Sequence, residues 1–292
     1  MALKVLPLHP ERGREALKRF VLEARALAKL DHPNITAIYS HGRSGELVYI
    51  ASQFVRGITL AEIIDKGGPL TWRRALSISR DIASALCAAH GAGILHRDIK
   101  SDNVMVEDSG KIKLVDFGIA RDFRVQHRIT QDHHCVGTAE YCSPEQLRAE
   151  KLDGRADLYS LGVVLYEMLT GRVPHQGHST VELYESIRKR PVRSPRAFDR
   201  KIPRAVGAFT RRLLQKDRAK RFRSAAETIA TIDRLMAPPE GSGRGGNGGP
   251  PLWRRWWSRS GSPQPSAAGT FLLVGGAGTG ALLAWALERL FS

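Results

Sequence analysis

From Leu158 to Leu169 apolar residues fall on every side of a 3.6-residue repeat, which predicts a helix buried all round. Near the start of the chain the pattern is one-sided. Leu17, Phe20, Val21, Ala24, Leu27 and Ala28 recur at helical spacing from about Glu11 to Leu30, so only one stripe of that helix faces a core. A short strand, Ala2-Leu3-Lys4-Val5-Leu6, precedes it. Strands over Ile35–Ser40 and Leu47–Gln53 follow it, separated by a turn containing glycine. From about Phe54 to Met236 the pattern is mostly helical, with one clear hairpin between Asn103 and Asp116.

Two later stretches break this globular pattern. Ala237 to about Pro251 contains Gly-Ser-Gly-Arg-Gly-Gly-Asn-Gly-Gly-Pro-Pro, too polar and glycine-rich to build a core, and reads as a linker. Ala267–Leu287 holds 21 residues without a formal charge. As a helix rising ~1.5 Å per residue it reaches about 30 Å, the depth of a bilayer core. Trp253-Arg254-Arg255-Trp256-Trp257 just before it fits an interfacial belt with snorkelling cations. The positive-inside rule puts those arginines in the cytoplasm, so the expected location is the inner membrane, single-pass. Gly276-x-x-x-Gly280 has the spacing that lets two such helices pack as a homodimer. The expected division is therefore 1–53, 54–236, a linker and juxtamembrane segment over 237–266, and a transmembrane helix over 267–287.

Composition changes this picture little. The 292 residues carry a formal net charge of +16, which invites an anionic partner. The basic residues are spread along the whole chain, no recognition motif accompanies them, and no nucleic-acid partner is expected. Cys87, Cys135 and Cys142 have no metal-ligand spacing, and their odd number speaks against a disulfide framework. A reducing compartment fits them.

Candidate chemistry gathers at the hairpin. With Ser109-Gly110 as the central turn residues, pairing places Asn103 opposite Asp116, an amide oxygen beside a carboxylate. Both are hard donors suited to Mg²⁺. Asp98 lies five residues before Asn103, so two carboxylates and an amide share one edge. Glu23 sits on the apolar stripe of the first helix with Phe20 and Leu27. It either edges that stripe or has found a cation, because an unpaired buried acid is costly.

The wording around these residues resembles the protein kinase family, and the bacterial Hanks-type serine/threonine kinases in particular. His96-Arg97-Asp98 with Lys100 and Asn103, then Asp116-Phe117-Gly118, then Ser143-Pro144-Glu145, follow the family's signature order from about Ala2 to Met236. The resemblance implies an α+β, bilobal kinase-like fold, ATP as co-substrate, Mg²⁺ or Mn²⁺, and protein substrates. By the same resemblance, Asp98 accepts the substrate hydroxyl proton and Lys100 stabilises charge on the transferring phosphoryl group. Asn103 and Asp116 hold metal. Lys4 grips the phosphates and pairs with Glu23, and Gln53 and Val55 join the ATP site. Lys100 and Thr138 point to Ser/Thr substrates. Thr130, in the activation segment, is an expected autophosphorylation site held by Arg97 and Arg121. Asp157 is expected to brace the catalytic loop, and Glu145 and Arg221 to form a buried ion pair.

One element of the family pattern is missing. The Gly-x-Gly-x-x-Gly-x-Val motif belongs before the strand lysine, and only three residues precede Lys4. The expectation is an incomplete N-lobe whose natural protein starts upstream of Met1. The alternative is a reduced pseudokinase that serves as a binding scaffold.

Overall fold

The computed structural model describes residues 1–7, 13–44, 47–118, 139–237 and 272–274. The chain forms two compact units.

The first unit holds β1 (Ala2–Pro7), α1 (Gly13–Ala28), β2 (Ile38–Ser44), β3 (Leu47–Ser52) and β7 (Leu272–Val274). The sheet order is β2-β3-β1-β7. β3 pairs antiparallel with both neighbours, placing Lys4 opposite Ile50. Val48 and Ile50 alternate onto the buried side of β3, as the strand period requires. Ala24 and Leu27 bury the stripe of α1, while Leu22 on another face is exposed.

Two expectations need correction here. The strand expected from Ile35 begins at Ile38. Ile35 instead makes a parallel bridge to Leu114 in the second unit. Its neighbours follow it: His32 Nε2 lies 3.0 Å from Ser84 Oγ, and Asn34 Nδ2 donates to the Ile112 carbonyl at 3.0 Å. Ile35 thereby covers the edge of an apolar strand that has no other strand partner on that side among the described residues.

The second correction concerns the expected helix over 267–287. Its three described residues, Leu272–Val274, are a strand paired in parallel with β1, Ala2 opposite Leu272 and Lys4 opposite Val274. An unpaired strand edge attracts a partner, and Leu-Leu-Val suits a strand. The remainder of that stretch, and the linker from 238, lie outside the described residues. No helix among the described residues is long and apolar enough to cross a membrane.

The second unit holds a small antiparallel sheet and most of the helices. Its sheet runs β4 (Gly57–Thr59), β5 (Val104–Glu107), β6 (Ile112–Leu114). The helices are α2 (Leu60–Gly67), α3 (Trp72–Gly91), α4 (Pro144–Leu147), α5 (Gly154–Thr170), α6 (Thr180–Lys189), α7 (Arg204–Leu213) and α8 (Ala225–Met236). Thr59, Thr71, Ser143, Asp153, Ser179 and Ser224 cap six of them with a side-chain oxygen on a first-turn amide. α5 runs through the core. Fourteen of its residues are buried, so its leucines and valines each contribute about 1.5–3 kcal/mol of apolar burial.

Candidate active site

The hairpin that carries the chemistry has a different register from the expected one. β5 and β6 pair Val104 with Leu114 and Val106 with Ile112. Continued outward, this places Asn103 beside Val115, whose amide donates to the Asn103 carbonyl at 3.0 Å. The connection is a three-residue loop, Asp108-Ser109-Gly110, closed by Glu107 and Lys111. Gly110 takes a left-handed φ of 82°. Such a loop combines a type I turn with a glycine bulge, and its extra residue shifts the pairing by one. In this register Val104, Val106, Ile112 and Leu114 share the buried face. Asp116 is thus one residue beyond Asn103's partner, and it is exposed.

Asp98 is fixed from two directions. Asn103 Nδ2 donates to the Asp98 carbonyl at 2.8 Å and to its Oδ2 at 3.2 Å. These bonds commit the amide nitrogen and direct the Asn103 oxygen to other work as an acceptor. The Asp98 amide donates to His96 Nδ1 at 3.3 Å, while His96 Nε2 meets the Val115 carbonyl at 3.2 Å. A neutral imidazole that donates from Nε2 and accepts at Nδ1 satisfies both contacts. Complete burial favours that neutral form and holds His96 below its usual range, against the raising pull of Asp157 and Asp98. Lys100 is half-buried in the same loop.

Behind the loop stands Asp157, 2% exposed, on the first turn of α5. Its carboxylate accepts from the His96 amide at 2.9 Å, the Arg97 amide at 2.8 Å and His90 Nε2 at 2.8 Å. Burial alone would raise this carboxyl. The hydrogen bond and charge of His90 and the His96 amide donor outweigh it and hold the carboxyl low. The bracing matters because Arg97 has φ 63° and Asp116 φ 57°, a left-handed region that costs about 1–3 kcal/mol per non-glycine residue. Gln146 Nε2 secures the other side of Arg97 by donating to its carbonyl at 2.9 Å.

Phe117 stacks on His96 with ring centroids 4.4 Å apart, and the Gly118 amide donates to the His96 carbonyl at 2.8 Å. A Cβ on Gly118 would lie 2.7 Å from that carbonyl oxygen, so no larger residue fits. The second loop, with Asp116 two residues before Gly118, is thereby clamped to the loop that carries Asp98 and Asn103.

Glu145 and Arg221 meet as a buried, two-pronged ion pair at 2.6 and 2.8 Å. Arg221 also donates to the carbonyls of Gln215, Arg155 and Lys216. Its guanidinium carbon lies 4.9 Å from the Tyr159 ring centroid.

Of the remaining candidates, Lys4 sits half-buried on β1 and Glu23 half-buried on α1 beside Ala24. Val55 is buried, and the Gln53 amide donates to the Ala37 carbonyl at 2.8 Å. Thr130, Thr138 and Arg121 lie outside the described residues. One cluster escapes sequence reasoning. Ser101 in the catalytic loop, Tyr141 before α4 and Glu167 on α5 bond mutually, at 3.0 Å for Ser101–Tyr141, 3.2 Å for Ser101–Glu167 and 2.8 Å for Tyr141–Glu167. Burial pushes the Glu167 carboxyl and the Tyr141 hydroxyl up. A lone glutamate in the apolar run of α5 was the available signal.

A loop aspartate held by an asparagine, a second carboxylate at the end of a hairpin and a buried brace under both define a protein kinase domain. The protein kinase domain family matches residues 1–231, and the chain belongs to it, among the bacterial Hanks-type serine/threonine protein kinases. It is 39% identical over 248 residues to serine/threonine-protein kinase PknB of Mycobacterium tuberculosis, covering 82% of this chain and 40% of that protein. It is 36% identical over 232 residues to serine/threonine-protein kinase PrkC of Bacillus subtilis, covering 80% and 36%. The chain thus spans about 40% of the length of these relatives. The crystal structure of Rad53 1–466 in complex with AMP-PNP superposes with a TM-score of 0.65 at 26% identity, covering 79% of this chain and 57% of that one. The bilobal α+β kinase fold follows from that likeness.

Proposed function

We propose that this chain transfers the γ-phosphoryl group of ATP to serine and threonine hydroxyls of proteins. The observation that carries the reading is the fixed Asp98, its carboxylate held by Asn103 Nδ2 and its backbone amide by the neutral His96. Asp98 accepts the proton of the attacking hydroxyl, and Lys100 offsets negative charge on the moving phosphoryl group. The names of the relatives support Ser/Thr substrates, and the AMP-PNP complex of the structural neighbour supports ATP.

No group of three or more acidic, His or Cys side chains among the described residues is placed to hold a metal alone. Asn103 and Asp116 supply two hard oxygens, which fits Mg²⁺ or Mn²⁺ completed by phosphate oxygens. Such an ion would neutralise charge between the phosphates. Lys4, paired with Glu23, and the Gln53–Val55 segment complete the ATP site in this reading. Thr130 is the proposed autophosphorylation site, answered by Arg97 and Arg121. Tethering at the inner membrane, with the kinase domain in the cytoplasm, is proposed from the aromatic-basic cluster Trp253–Trp257 and not from a helix over 267–287, whose Leu272–Val274 form a strand.

Incubation of the full chain with labelled ATP and a generic protein acceptor tests the enzyme reading. Label on serine and threonine, reduced at least about a hundredfold in Asp98→Asn, is the expected result. Equal labelling by wild type and Asp98→Asn would sink it. ATP binding without transfer favours the alternative, a kinase-fold scaffold.

A further inference from the structure

The fold gathers charge that the sequence disperses. Between Arg188 and Arg204 eight side chains are basic and only Asp199 is acidic. α6 ends in this stretch, a 3-10 turn spans Pro195–Ala197, and α7 starts at Arg204. The first three cations are already paired: Arg188 and Lys189 with Glu185, at 3.2 and 2.5 Å, and Arg190 with Glu182 at 3.9 Å. Asp199 accepts from the backbone amide of Lys201 at 2.8 Å. Arg172, Arg193, Arg200, Lys201 and Arg204 are exposed, and among the described residues none of them forms an ion pair.

At the centre lies Phe198, 39% exposed. The guanidinium carbons of Arg172 and Arg193 sit 5.0 and 5.3 Å from its ring centroid. Two like charges are thus gathered on one aromatic ring, held by its quadrupole, with no carboxylate paired to either among the described residues. α7 adds to the same field. It starts without a side-chain cap and without an acidic residue in its first turn, leaving the positive end of its dipole uncompensated.

We propose that this face, Phe198 with Arg172, Arg193, Arg200, Lys201 and Arg204, docks on an anionic lipid surface. Arg172 and Arg193 concentrate their charge at Phe198, whose ring meets Tyr166 edge-on at 6.3 Å. A half-exposed aromatic among unpaired arginines is the chemistry of a headgroup interface. The same pairing of aromatic and arginine recurs in the sequence at Trp253–Trp257. The inference rests on that tethered reading for its proximity to the membrane. Docking would hold the second unit against the bilayer through a contact the tether does not supply.

The test uses the full chain with vesicles of phosphatidylcholine alone and with phosphatidylglycerol replacing a third of the lipid. Amide hydrogen exchange is read over 188–204, and flotation is read in parallel. Expected is protection of 188–204 on phosphatidylglycerol vesicles only, abolished by high salt. Each basic side chain at an anionic surface is worth about fivefold in affinity, so Arg193→Gln/Arg200→Gln/Lys201→Gln should lower the phosphatidylglycerol-dependent affinity roughly a hundredfold. Equal flotation on both vesicles with 188–204 unprotected overturns the proposal. So does protection by duplex DNA and not by either vesicle. Failure to float on phosphatidylcholine alone removes the tether and leaves this face to be judged on the phosphatidylglycerol arm.

Discussion

Replacing Arg221 by methionine isolates the worth of the buried latch. The substitution roughly conserves apolar bulk, so the main losses are electrostatic. Glu145 is 2% exposed and would lose both arginine bonds, at 2.6 and 2.8 Å. Breaking a buried pair from one side costs about 3–5 kcal/mol, because the remaining charge stays buried without a partner. The carbonyls of Gln215, Arg155 and Lys216 also lose their donor. At about 2–4 °C per kcal/mol for a domain of this size, Tm should fall by roughly 10 °C, read by far-UV circular dichroism of the full chain. The control is Arg221→Met/Glu145→Leu, which removes the stranded carboxylate. It should recover part of the loss and still fall short of wild type, since the orphaned carbonyls cost about 1–3 kcal/mol each when left dry. A single variant within about 1 kcal/mol of wild type, or a double no better than the single, would refute the reasoning.

Three further outcomes follow from the same unit. Tyr159 OH is buried without a hydrogen-bond partner among the described residues, so Tyr159→Phe should leave urea stability unchanged or raise it by up to about 1–3 kcal/mol; a clear loss would reveal a hidden acceptor. Lys216 donates to His175 Nε2 at 2.6 Å and is pushed down to about 8 by burial and the Arg221 charge. Unfolded lysine titrates near 10.5, so between these values the folded chain binds fewer protons and stability rises with pH. Urea midpoints of Lys216→Met should lack that rise, and parallel slopes would contradict it. Gly118→Ala should separate Asp116 from the catalytic loop and cut phosphoryl transfer at least about tenfold while costing only about 1–3 kcal/mol of stability; unimpaired transfer would show that the clamp is dispensable.

How far the sequence carries is clearest at α5 and at the hairpin. An apolar run with no polar face admits one environment, and α5 is buried all round. The residue types of the site were legible for a related reason: Asp98, Asn103 and Asp116 are costly to place together without chemistry to perform. The hairpin register was not legible. Ser109-Gly110 satisfies either a two- or a three-residue loop, and the choice falls to the facing of Val104 and Val106 against Ile112 and Leu114. Ile35 escaped likewise, since an apolar residue after a helix pairs with whichever strand edge the fold presents. The left-handed Arg97 and Asp116 carry no local signal at all, because long-range bonds, Asp157 and Gln146 on Arg97, impose them.

Asp157 also sets when the catalytic loop can move. Loops ordinarily open in small, cheap fluctuations that leave a core intact. The amides of His96 and Arg97 are instead held by a carboxylate rooted in α5, whose residues lie buried through the core. Opening them means extracting Asp157 from the core or unfolding around it. The part of the protein nearest the chemistry is therefore tied to the opening of the core helix α5. Motions that admit substrate and release product must be borne by segments other than this loop.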